Sequence, residues 1–93
     1  MCWEASKAGL AAAVVDGACE HAVKLSYDSP PVVDSRGLAR ALTGRTTGAI
    51  ADFEIFANHS DSDAQERNQR RRWIAELKAG RNPFTPDVLA ALP

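Results

Sequence analysis

The chain has 93 residues, a net charge of −1 and 45 % hydrophobic residues. That is enough for one folded domain and too little for two, and its charged fraction of 25 % is too ordinary for intrinsic disorder. The near-neutral balance excludes a chain built mainly to coat nucleic acid or an anionic membrane.

Both averages conceal structure. Seventeen of the 42 hydrophobic residues are alanine, so the supply of large core side chains is thin. Residues 1–66 carry ten acids against five bases, whereas residues 67–93 carry six bases against two acids. The longest early apolar run, Leu10 to Val15, is closed by Asp16 and is far shorter than the roughly 20 residues a membrane-spanning helix needs. Glu4 and Asp16 also break the pattern of a secretory leader.

The first predicted element is a helix over Trp3 to Leu25, rich in alanine and free of proline. Leu10, Val14, Ala18, Ala22 and Leu25 form its expected buried stripe. Ala5, Gly9, Ala13 and Gly17, each four apart, form a row of small residues suited to close contact with a second helix, and this row is the expected dimer contact. A break at Gly9 or Gly17 is the competing reading. On one continuous helix Cys2 and Cys19 would lie about 25 Å apart, beyond disulfide reach, which predicts two reduced thiols in a cytoplasmic protein.

Ser26 to Asp34 reads as a loop stiffened by Pro30 and Pro31. Asp34 or Ser35 then caps a short helix over Leu38, Ala39 and Leu42 that Gly44 ends. A third helix runs from Thr46 or Thr47 to about Asn58. A fourth starts at the capping box of Ser62 and Gln65 and stops at Gly80. Thr85-Pro86-Asp87 opens a short last helix, with Phe84 and Leu89 placed to staple it. No stretch alternates long enough to be a strand. The predicted fold is all-α, a small bundle of about four helices plus a short C-terminal one, in a single domain over residues 1–93 that is expected to dimerise.

Leu38-Ala39-x-x-Leu42-Thr43-Gly44-Arg45-Thr46-Thr47-Gly48-Ala49-Ile50 resembles the L-A-x-x-L-G-R-T-x-x-A-I pattern of helix-turn-helix DNA readers, with one residue extra in the turn. The resemblance covers about thirteen residues and implies that the following helix enters a major groove. The chemistry runs against it: from Thr46 to Glu66 there are five acids and neither Lys nor Arg, while groove readers face phosphate on both walls. Arg67-Asn68-Gln69-Arg70-Arg71-Arg72-Trp73 resembles in composition the arginine-rich helices that enter RNA grooves. Yet acids precede this run at helical spacing, and Trp73, Ile74 and Leu77 continue as a packing face.

On the third helix, with Phe53 at 0°, Ala49, Ile50, Phe56 and Ala57 fall within about 60° and form a core face. Ile55 falls on the far side, flanked by Asp52 and Glu54, as an apolar centre in an acidic surface. That surface complements the basic one of Arg67, Arg70 and Arg71 beside Trp73. Ile55, Asp52, Glu54, Arg67, Arg70, Arg71 and Trp73 are therefore the expected partner-binding residues.

Catalysis is not expected. The chain lacks a nucleophile elbow, a Gly-rich phosphate loop and a C-x-x-C pair. The cluster His59-x-Asp61-x-Asp63 lacks the glycine and distant glutamate of a calcium loop. No cofactor or metal is expected. The reading is a small non-enzymatic regulatory protein acting by protein–protein binding as a homodimer. It would antagonise or modulate a transcription regulator or another protein. Nucleic-acid binding through the helix-turn-helix-like or arginine-rich segment is the alternative.

Overall fold

A computed structural model describes residues 2–93. The elements are α1 (Cys2–Lys7), α2 (Ala11–Val14), α3 (Ala18–Leu25), α4 (Pro30–Leu42), α5 (Thr46–Ala57), α6 (Ala64–Lys78) and α7 (Pro86–Ala91), with no strand among the described residues. The all-α expectation stands. The count of about four helices plus one does not, because the N-terminal segment is three helices.

The reason lies at two glycines. Gly9 sits at φ +87°, where a side chain would be strained. Leu10 N donates to Ala5 O and Gly9 N to Ser6 O, a Schellman closure that ends α1. The chain turns again over Val15, Asp16 and Gly17 before α3. The row Ala5, Gly9, Ala13, Gly17 consequently does not share one helix face, and the helix-pairing stripe expected from it is absent from the fold. The buried stripe is also shifted by one residue. Ala11, Val15, Cys19 and Val23 are buried, whereas Leu10 and Leu25 are 56 % and 68 % exposed.

Folding back at these turns brings Cys2 and Cys19 together. Their Cα atoms are 5.0 Å apart and the two sulfurs form a disulfide. This overturns the expectation of two free thiols, and with it the thiol argument for a cytoplasmic setting. The disulfide centres a small core with Ala11, Val15 and Ala39, against which Val14 and Leu42 pack. Large side chains are scarce here, and the covalent link supplies cohesion that alanine and valine alone would not.

Helix α4 begins at Pro30, inside the segment expected to be loop. Proline needs no N–H at the first helical turn, so Pro30 and Pro31 start the helix. Ser29, at φ −55° and ψ 129°, takes the extended shape a residue before proline prefers. The preceding turn places Tyr27 and Asp28 at φ 54° and 60°, with Tyr27 94 % exposed.

Helices α4 and α5 cross closely because Gly37 has no side chain. A Cβ there would lie 3.0 Å from Asp52 Cβ and from Phe53 Cε1. The main core is built on α5 and α6 around Phe53, Trp73 and Phe84, whose ring centroids lie 4.9–6.1 Å apart. Leu38, Ile74, Leu77 and Leu92 complete it. Asp63, one residue after the expected Ser62, caps α6 by accepting from Gln65 N and Glu66 N. Thr85 caps α7 as expected, accepting from Val88 N. Trp3 Nε1 and Lys7 Nζ both donate to Pro93 O at 2.9 Å, fastening α1 to the chain beyond α7.

Candidate functional site

The expected partner surface divides into a part that is buried and a part that is exposed. On α6, Arg70 falls three and four residues before Trp73 and Ile74 and seven before Leu77, so it shares their inward stripe. It is only 5 % exposed. Its Nη2 donates to Asp34 Oδ2 at 2.6 Å and its Nε to Asp34 Oδ1 at 3.0 Å. The guanidinium carbon lies 4.6 Å from the Trp73 ring centroid, 4.7 Å from Phe56 and 5.5 Å from Trp3. Arg70 is thus an interior cation, paired with one carboxylate and packed among three aromatic rings. Burial pushes the Asp34 carboxyl up, against the pull of the Arg70 hydrogen bonds. Trp73 is buried in the same place. Neither residue is available to a partner, which corrects both assignments.

Asp52 is also interior. On the helical wheel it borders Phe56 as closely as it borders the outer face, and α4 decides between them. Arg36 Nε and Nη2 each donate to the Asp52 carboxylate at 2.9 Å, and Arg40 Nη1 donates to it at 3.1 Å. The other arms of the same arginines reach Glu20 on α3, Arg36 Nη1 at 3.2 Å and Arg40 Nη2 at 3.0 Å. Two arginines and two carboxylates therefore tie α3, α4 and α5 together with no net charge. Donation to the Asp52 carboxylate holds the Arg36 pKa above its usual value. Arg45, in the α4–α5 turn, is forked onto Asp16, and this bond keeps the Asp16 carboxyl below its usual range.

What stays outside is narrower. The row Thr47, Ala51, Glu54, Ile55 and Asn58 is exposed along α5, with Ile55 46 % exposed near its middle. Glu54 lies 3.9 Å from Lys78 of α6. Arg71 is exposed but spends one arm on Ala57 O at 2.8 Å and another on Asn68 Oδ1. Arg67 is half-buried, and Arg72 is exposed. Ile55, Glu54 and Arg71 keep the surface position expected of them.

The helix-turn-helix-like pair is present in outline as α4, a three-residue turn and α5. Its three arginines, Arg36, Arg40 and Arg45, are all held by carboxylates. A phosphate could recruit them only by displacing those acids. In the polar hinge His59 lies 4.0 Å from Asp61, while Asp63 is committed to capping α6. No group of three metal-ligating side chains converges among the described residues.

Comparison with protein-family models, with curated proteins and with solved structures finds no match. The chain's own chemistry is the basis for reading its function. The residues that sequence reasoning missed are Asp34 and Glu20, whose partners lie 36, 16 and 20 positions away. The inward stripe of α6 was the available signal for Arg70. Nothing local pointed to its acid.

Proposed function

We propose that this chain is a non-enzymatic regulatory protein that acts by docking another protein against the outer face of α5. One observation carries the reading: Ile55 stands exposed within a polar, acid-bearing row, while Arg36, Arg40 and Arg45, the arginines of α4 and of the turn before that helix, are already paired with carboxylates. An apolar centre with a charged rim is the usual anatomy of a protein contact. The partner should present an apolar pocket rimmed by positive charge. A second copy of the chain meets the charge requirement through Arg71 and Arg72, which makes a homodimer the first partner to test. A transcription regulator covered on one surface is the other partner class this action suits. No helix among the described residues is long and apolar enough to cross a membrane.

The test is sedimentation of the chain at tens of micromolar, at low and high salt, beside Ile55→Asp. Association that weakens in the variant, with unchanged far-UV circular dichroism, supports the proposal, because a substitution at a half-exposed site costs little stability. A monomer throughout removes the self-association part. A shift of duplex DNA or structured RNA at about 50 mM salt, lost on raising the salt, favours the nucleic-acid alternative instead.

A further inference from the structure

Four helices end in the same backbone closure. After α1, Gly9 N donates to Ser6 O and Leu10 N to Ala5 O. After α4, Gly44 N donates to Ala41 O and Arg45 N to Arg40 O, and after α6, Gly80 N donates to Leu77 O and Arg81 N to Glu76 O. In all three the residue that turns left-handed is glycine, at φ 87°, 81° and 79°. The fourth closure ends α3, where Tyr27 N donates to Lys24 O at 3.2 Å and Asp28 N to Val23 O at 3.0 Å. Here the left-handed position holds tyrosine, at φ 54°, and Asp28 follows at φ 60°. A tyrosine Cβ crowds the backbone in this conformation where glycine would not, so the chain is strained where it departs from its own rule.

No packing inside the fold offsets that strain, since Tyr27 is 94 % exposed. The turn that carries it is nevertheless pinned. Ser26 Oγ donates to Val23 O at 3.0 Å and accepts from Ser29 N at 3.3 Å, and Pro30 opens α4 directly after. A large amphipathic side chain is thus held outward on a fixed backbone, which lowers the entropic cost of a contact. Strain kept at such a position points to something outside the fold that the ring touches.

The neighbours of Tyr27 indicate what that is. His21, Lys24 and Leu25 are exposed at helical spacing on the outer face of α3, and Asp28 is exposed just beyond it. Leu25, 68 % exposed, supplies a second apolar side chain. Lys24 and Asp28 enter none of the ion pairs among the described residues. Unspent opposite charges therefore bracket an apolar pair. A partner with a rim of one sign would be repelled by one of the two. A second copy related by a two-fold axis sets each Lys24 against the other's Asp28 and is repelled by neither.

We infer that the α3–α4 turn is a self-association surface whose occupant is the same turn of a second copy of this chain. Tyr27 and Leu25 form its apolar centre, and Lys24 and Asp28 pair across the axis. The contact is narrow beside the roughly 20–30 residues a side of a standard interface, so its dissociation constant is on the order of 0.1–1 mM. It shares no residue with the outer face of α5 and stands independently of the reading of Ile55.

The experiment is heteronuclear NMR of the intact, disulfide-bonded chain, diluted from about 1 mM to tens of micromolar. Amide shifts that move with concentration should cluster at His21, Lys24, Leu25, Tyr27 and Asp28. Tyr27→Gly should weaken association about tenfold or more, yet raise the melting temperature by about 4 °C or more as the strain is relieved. Lys24→Glu and Asp28→Lys, each with native circular dichroism, should be monomeric alone and associate when mixed in equal amounts. Ile55→Asp should leave the concentration dependence at the turn unchanged. Shifts that do not move with concentration overturn the inference, as do shifts that move only along α5, the result the docking reading of Ile55 expects instead. So does a Tyr27→Gly chain that associates like the parent, or a mixture of the two charge variants that stays monomeric.

Discussion

Replacing Arg70 with alanine separates an interior role for this arginine from a binding role. In the fold, Arg70 and Asp34 are 5 % and 2 % exposed and are joined at 2.6 and 3.0 Å. Arg70→Ala leaves that carboxylate buried without its cation, a change that costs about 3–5 kcal/mol. Loss of the stacking against Trp3, Phe56 and Trp73 acts in the same direction. A chain of this length has a total stability on the order of 5–14 kcal/mol, so the variant should lose about a fifth of it or more. The melting temperature should fall by more than about 12 °C. Urea unfolding followed by circular dichroism measures the loss, with an unchanged m-value showing that the midpoint shift reports stability. The pair Arg70→Met with Asp34→Leu should recover most of it, because two well-packed apolar side chains replace a buried ion pair at little cost. A loss below about 1 kcal/mol for Arg70→Ala, or a double variant as unstable as the sum of the singles, would refute the interior-cation reasoning.

Reducing the Cys2–Cys19 disulfide releases a constraint across 17 positions. By loop entropy it should cost about 3 kcal/mol, read as a lower melting temperature with reductant present. An unchanged transition would mean that the bond does not hold α1 against α3. Gly37→Ala places a Cβ 3.0 Å from Asp52 Cβ and Phe53 Cε1. The overpacking of about 1–3 kcal/mol should outweigh the ~1 kcal/mol that alanine gains in a helix. Urea midpoints decide this, and a stabilised variant would show that the α4–α5 approach is looser than described.

The second half of the fold was legible because its signals are local. Thr85 and Pro86 started α7, Gly44 and Gly80 ended their helices, and the wheel of α5 separated Phe53 from Ile55. The N-terminal third was not, for two physical reasons. Alanine favours helix so uniformly that one long helix and three short ones share almost the same sequence. The decision therefore fell to the backbone at Gly9 and to a disulfide that no spacing rule encodes. The charged interior was hidden for a related reason. Asp52 and Arg70 look like surface residues until Arg36, Arg40 and Asp34 arrive from distant positions, and only the folded chain shows those partners. The expected opposition of an acidic and a basic block is accordingly smaller on the surface than in the sequence.

The placement of Trp3 and Trp73 around one guanidinium also governs how the molecule can be observed. The chain has no other tryptophan, so indole fluorescence reports on a single neighbourhood, the cage around Arg70. It has no probe on α2 or α3, the helices that the disulfide joins to α1. If that half frays first, ellipticity will fall while emission stays native, and the two unfolding curves will separate. Coincident curves would mean that the two cores, joined through Leu42 and through the pairs of Arg36 and Arg40 with Glu20 and Asp52, melt as one.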